Sequence, residues 1–524
     1  MIFMLFLAIL IPLLAGLILT WLLFPAQRLD AATGLLHLSL AAGIGLGIAS
    51  CLYFAVMLPA HAGALVYLDR ALVIILIALG ILLYQKGFLR REGGLRPAEN
   101  VPLKYRLIFP VLFGGTLISG LISIAIAFLK EPHGKWDAWV IWNLHARFIL
   151  RGGEHWQNFL SSGLDWTHPD YPLLIPLSIV RMWKYAGSET LYGPIILSVF
   201  FTLAVAGLLV FSLAILRSRS QGYLAGLVLM GSPYFLDMGA YQFADIPLAF
   251  FFLATFVAFF LHDRFSGRQD YPLMLAGLTA ALAAWTKNEG LLFLLCVPPA
   301  RFAWVVRDIG LRRALRQAAW FVAGALPVLM VIAVFKLHLA PSSDIFSGQG
   351  LQPLLERLMD GPRYGQILSA YVRTALTFTQ GIIDIREGFR FNPGAAGIVV
   401  LGLYMTLMGI RTQGQDRPAW RTAVTVSILM LAGYFGVYLI TPHDLRWHLL
   451  TSLNRLFIQL WPAAIFLCFM VARTPEQALV RGVIREMDRL LSRRGGSSEP
   501  NKTVSEPKSE PKKGGAGKQK RRRT

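Results

Sequence analysis

Cysteine, acid and charge in general are scarce in this chain, and each shortage excludes something. Three cysteines, Cys51, Cys296 and Cys468, serve 524 residues. All three lie inside apolar runs, where they act as small hydrophobes, so neither a disulfide framework nor a zinc site is implied. Only 15% of the residues are charged against 55% hydrophobic, and the mean hydropathy is +0.56. A soluble domain cannot hide that much apolar surface. No alternating ten-residue segments suggest an outer-membrane barrel. The opening run MIFMLFLAILIPLLAGLILTWLLF lacks a basic leader and is too long for a signal peptide's apolar core, so it reads as a retained span.

What is present is a succession of apolar runs, each long enough to cross a hydrocarbon core of roughly 30 Å as a helix. The expected fold class is an all-α, polytopic integral membrane protein. Thirteen crossings are expected near 1–24, 34–58, 69–84, 107–129, 191–216, 221–238, 245–261, 272–285, 289–305, 319–338, 396–410, 422–440 and 456–473. Short loops at 85–106, 217–222, 262–270, 307–317 and 411–421 are basic and belong in the cytoplasm. The N-terminus then lies outside and the C-terminal tail inside, as in a bacterial inner-membrane protein. The expected parts are a three-span region 1–106, a main transmembrane region 107–475, a cytoplasmic amphipathic segment 476–493 and a disordered basic tail 494–524. Net charge is +21, and the tail, ending KQKRRRT, has nothing apolar to bury. It suits anionic lipid headgroups, and nucleic acid is not an expected partner.

The same threading leaves the unusual polar residues on the periplasmic side, in two large loops, 130–190 and 339–395, and in the short segments 239–244, 285–290 and 441–455. The stretch GKWDAWVIWNLHARFILRGGEHW (134–156) predicts an amphipathic helix lying on the membrane. Trp136, Trp139 and Trp142 would sit at headgroup level and Asp137 at the water–lipid boundary. A carboxylate there is a better base, but Asp is also among the best N-caps; both roles stay open. The segment 171–187 is short and interrupted by Arg181 and Lys184, which predicts an interfacial or re-entrant helix.

In DWTHPDYPLL (165–174), prolines hold the backbone extended and present His168, Asp170 and Tyr171. Asp245 opens a Phe-rich run, and the turn WTKNEG aims Lys287, Asn288 and Glu289 between two spans. In TPHDLRWHLLTSLNRLFIQLWP, Asp444, His448, Ser452, Arg455 and Gln459 fall on one helical stripe. Such a stripe is costly in a span unless it lines a polar cavity or pairs with other groups. Together these give acids (Asp137, Asp170, Asp245, Glu289) and cations (Lys135, Arg147, Lys287, Arg446, His448, Arg455) on one face. That set suits transfer from a lipid-linked sugar phosphate. Cations stabilise the departing phosphate, a carboxylate takes the acceptor's proton, and an isoprenoid tail needs an apolar groove.

The order WDAW, HAR, GGEHW, HPDYPLLIPL, ADIPLAFFF and TKNEG over roughly 107–300 resembles the GT-C superfamily of membrane glycosyltransferases. The likeness is to the branch of protein O-mannosyltransferases and lipid A aminoarabinose transferases. The resemblance implies a polyprenyl-phosphate-linked sugar donor and a lipid or glycan acceptor, with Asp137 as general base and Lys287 near the donor phosphate. Arg455, His448, Arg147 and Arg446 join the donor side; Asp170, Asp245, Glu289, His168 and Tyr171 serve the acceptor or orient the others. Ala138 follows Asp137 where that family has a second acid, so a paired-carboxylate metal site is not expected; a divalent metal is the one cofactor left open. An O-antigen ligase-like transferase with a diphosphate-linked donor, and a lipid-linked sugar flippase, are the rival readings.

Overall fold

A computed structural model describes residues 1–24, 30–60, 65–85, 103–265, 270–343, 350–380, 397–411, 414 and 416–478. The chain enters as α1 (Ile2–Leu23), α2 (Ala31–Ala60), α3 (Leu65–Gln85) and α4 (Leu103–Lys130). A π-helical turn, Ala138–Trp142, runs into α5 (Asn143–Arg151), and two 3₁₀ segments lead to α6 (Leu174–Ala186). Then follow α7 (Tyr192–Leu216), α8 (Arg219–Met230), α9 (Pro233–Ala240), α10 (Asp245–Phe265), α11 (Tyr271–Thr286), α12 (Asn288–Ile309) and α13 (Leu311–His338). Last come α14 (Leu351–Met359), α15 (Gly361–Thr377), α16 (Gly397–Met408), α17 (Arg417–Ile440) and α18 (Leu445–Val471).

The all-helical expectation holds. Among the described residues nine helices are long and apolar enough to cross a membrane, and Tyr271–Thr286 and Gly397–Met408 are shorter apolar helices. The expected span 221–238 is broken instead: Gly231 and Ser232 separate α8 from α9, because Pro233 has no N–H to continue the ladder. The basic loop 86–102, residues 344–349 and 381–395 of the loop 339–395, and residues 479–524 lie outside the described residues.

Helix α10 is the axis of the bundle. Every residue from Asp245 to His262 is buried, with α2, α7, α11, α17 and α18 packed around it. Helix association in a membrane rests on close packing more than on hydrophobic drive, and α11 and α13 show it. A Cβ on Gly277 would lie 1.9 Å from the Phe321 carbonyl oxygen, and one on Gly324 2.0 Å from that of Met274. Glycine is what lets these two backbones meet.

The segment 171–187 is packed within the protein. Helix α6 is buried continuously from Leu174 to Trp183, against α1, α2, α5 and α7. Its arginine is paired inside the protein: Arg181 Nη1 donates to Asp69 Oδ1 at 2.7 Å and Nε to the Ala8 carbonyl at 2.7 Å. Tyr185 donates to the other Asp69 oxygen at 2.6 Å. The N-terminal helices therefore clasp α6.

Candidate active site

Four chain segments meet at one end of α10. The loop after α4 is laced to the turn before α10, since Lys135 N donates to the Tyr241 carbonyl at 3.3 Å and Gln242 Nε2 to that of Pro132 at 3.1 Å. The tight turn between α11 and α12 is held from both sides. Trp285 Nε1 donates to Ser50 Oγ of α2 at 3.0 Å, and a Cβ on Gly290 would sit 1.9 Å from the Ala283 carbonyl oxygen. Helix α18 starts at its cap, where Asp444 accepts from Trp447 N at 2.7 Å, so Asp444 is accounted for as a cap. Asp137 is not one: its backbone is helical and its carboxylate makes no capping bond.

The side chains form one connected cluster. Asp245, with 0% exposure, takes Gln459 Nε2 at 2.6 Å and Lys287 Nζ at 3.3 Å on one oxygen. Its other oxygen takes Arg455 Nε at 3.2 Å and Nη2 at 3.0 Å. The same Nη2 reaches Asp137 Oδ2 at 2.6 Å, and the guanidinium lies 4.7 Å over the Phe243 ring. Lys287 also pairs with Glu289 at 2.7 Å. Gln459 receives Tyr434 OH at 2.9 Å. Burial alone would push the Lys287 ammonium down; the Asp245 and Glu289 carboxylates reverse this and hold it above its ordinary value.

Three carboxylates, Asp137, Asp245 and Glu289, thus surround two cations, Lys287 and Arg455. Asp137 Oδ1 has no hydrogen-bond donor among the described residues, and Asp137 lines a cavity of about 2620 Å³. The cavity is lined by polar residues around the cluster and by apolar side chains of α4, α12, α13 and α17.

Beside the cluster, Tyr171 stacks between Trp142 (5.7 Å between centroids) and His168 (4.9 Å). Burial, then the Glu289, Asp170 and Asp137 carboxylates, push its phenol well above the ordinary range, so it stays neutral. His168 has φ 51° and Gln242 φ 61°, left-handed conformations uncommon outside glycine. Both residues flank the cluster's loops.

Of the residues expected to act together, Asp137, Asp245, Lys287, Glu289 and Arg455 converge, and His168, Asp170, Tyr171 and His448 line the same cavity. His448 Nδ1 lies 3.0 Å from Thr441 Oγ1. Arg147 does not join them. It pairs with Glu189 at 3.3 Å, stacks 5.7 Å over Trp183 and is not part of the cavity wall. Arg151 and then Arg147 hold the Glu189 carboxyl below its usual range, so Arg147 is already paired. Arg446 is exposed and also outside the wall. Trp136 and Trp139 are 59% and 44% exposed, but Trp142 is buried under Tyr171. Among the described residues no three His, Cys, Asp or Glu side chains converge as a metal cage.

Lys336 and Arg373 of the wall were not singled out in the sequence. Lys336 donates to Asn288 Oδ1 at 2.8 Å, while Asn288 Nδ2 donates to Asp170 Oδ2 at 2.6 Å. The signal was there for Lys336, a lysine inside the apolar run MVIAVFKLHLA. Arg373 of α15 lines the cavity as well.

Residues 176–340 match the family model described as dolichyl-phosphate-mannose-protein mannosyltransferase. The match supports a membrane glycosyltransferase of the GT-C superfamily. It runs from α6 to just past α13, and so includes Asp245, Lys287, Asn288, Glu289 and Lys336 but neither Asp137 nor Arg455. No curated protein matches the chain. A crystal structure of ArnT from Cupriavidus metallidurans in the apo state is similar over 62% of this chain and 59% of its own, at 14% identity and a TM-score of 0.30. The chain thus spans less than two thirds of that protein.

Proposed function

We propose that the chain transfers a sugar from a polyprenyl-phosphate-linked donor to an acceptor hydroxyl on a lipid or glycan, at the periplasmic face of a bacterial inner membrane. The observation that carries this reading is the state of Asp137. One carboxylate oxygen is clamped by Arg455, and the other, with no donor among the described residues, stands in a cavity with polar and apolar walls.

The reaction is a single displacement. The acceptor oxygen attacks the anomeric carbon as the bond from that carbon to the phosphate oxygen breaks, the bonding pair leaving with the phosphate. The acceptor's proton passes to Asp137 Oδ1, and polyprenyl phosphate departs. General-base assistance of this kind contributes roughly 10²–10⁴-fold. Arg455 fixes the base: its planar fork bonds Asp137 and Asp245 at once, an arrangement a lysine cannot reproduce. Lys287, itself paired with Glu289, and Gln459 hold Asp245 and so support Arg455 from behind.

The test is a transfer assay in membranes containing the full chain, with the sugar supplied either on polyprenyl phosphate or on polyprenyl diphosphate. The reading expects sugar transfer, inverted at the anomeric carbon, from the monophosphate donor alone. Transfer from the diphosphate donor alone, or retention of configuration, would sink it.

A further inference from the structure

The site has two lysines, and they are not equivalent. Lys287 is closed: its side chain is 5% exposed and sits between the carboxylates of Asp245 and Glu289. A phosphate brought to it would meet those carboxylates first. Lys336 is open, with 22% of its side chain exposed to the cavity it lines. An ammonium has three N–H donors. Lys336 spends one on the Asp170 carbonyl at 2.5 Å and one on Asn288 Oδ1 at 2.8 Å. The Asp170 carboxylate lies 3.7 Å away, beyond hydrogen-bond length, so the third donor has no acceptor among the described residues.

Asn288 produces this state. Its amide nitrogen holds Asp170 Oδ2 at 2.6 Å, keeping that carboxylate from closing on the lysine, while its amide oxygen orients the ammonium. The surroundings of Lys336 are those of an amphiphile's head. Ile332 lies one turn below it on α13, and Leu291 and Leu295 of α12 and Val437 of α17 line the same cavity. Gly436 of α17 lines it too, and a Cβ there would meet nothing within 4 Å.

We infer that Lys336, positioned by Asn288, binds the phosphate of the polyprenyl phosphate group, and that the adjoining α12–α13–α17 wall takes its isoprenoid chain. This rests on the reading of the chain as a polyprenyl-phosphate-dependent transferase and names the residue that holds the phosphate. Lys287 is then an internal counter-ion of Asp245 and Glu289.

The experiment measures binding of polyprenyl phosphate and of phosphate-free polyprenol to the purified full chain in nanodiscs. Lys336→Gln should raise the Kd for polyprenyl phosphate about tenfold, the loss of one charge-assisted contact, and leave polyprenol binding unchanged. Lys336→Arg should recover most of the affinity. Gly436→Trp should weaken both ligands, since it fills the chain's path. Asn288→Leu should mimic Lys336→Gln by releasing Asp170 onto the lysine, and adding Asp170→Asn should restore binding; a merely structural asparagine would not be rescued this way. Unchanged phosphate binding in Lys336→Gln, or equal loss of both ligands, overturns the inference. Asp137→Asn separates the two claims: if it keeps transfer the underlying reading fails, whereas if it abolishes transfer while Lys336→Gln binds normally only the lysine assignment falls.

Discussion

The two ends of α10 carry the same motif with opposite consequences. At one end Asp245 is buried against Arg455; at the other, Asp263 is buried against Arg301 at 2.5 Å. Asp263 is also closed in by His262 Nδ1 at 2.9 Å and by Ala419 N at 2.8 Å. Arg301 is shared with Gln317 Oε1 at 2.9 Å, and none of these residues lines the large cavity. That network bolts α10, α12, α13 and the start of α17 together and leaves no acceptor idle. The Asp245 end bonds just as tightly, but it holds back Asp137 Oδ1 toward the cavity. A buried carboxylate–arginine pair therefore does not mark a site; an unused lone pair facing open space beside it does.

Substitutions at the two ends should separate accordingly. The largest effect in this series is expected from Arg455→Lys, which cannot bond Asp137 and Asp245 together. Transfer should fall about 10²-fold, the order of loss for a misplaced reacting group, in a steady-state assay with donor KM little changed. Next, Arg301→Met strands the Asp263 charge in the interior and should destabilise the protein by about 3–5 kcal/mol, read as a lower unfolding midpoint. Transfer per folded molecule should stay within about twofold of wild type; a larger drop would break the comparison by making the closed end catalytic too. Arg147→Gln is the smallest, because Glu189 keeps Arg151 as a partner at 2.5 Å. Activity should change by less than about twofold, the ordinary range for a surface substitution.

Much of this was legible in the sequence, and the reason is local. The helical stripe from Asp444 to Gln459 follows from spacing within one helix, and it delivers Arg455 and Gln459 to Asp245. The short turn at Lys287 and the proline after Asp245 fixed two more segments by chain geometry alone. What periodicity could not reveal is pairing across the chain. Arg181 looked like an interruption because its partner, Asp69, is 112 residues away. Arg147 looked available because Glu189 lies 42 residues on, and Lys336 was passed over because Asn288, which positions it, lies 48 residues before it. The break between α8 and α9 was legible in principle from Gly231, Ser232 and Pro233. An apolar run long enough to span outweighed it.

The most direct test puts one substitution at both ends, Asp137→Asn and Asp263→Asn, and measures transfer and thermal unfolding on the same purified preparations. The account predicts that Asp137→Asn loses roughly 10²–10⁴-fold in transfer with its unfolding midpoint nearly unmoved, and that Asp263→Asn lowers the midpoint while each folded molecule still transfers sugar. Full transfer by Asp137→Asn, with donor bound as in the wild type, would contradict it.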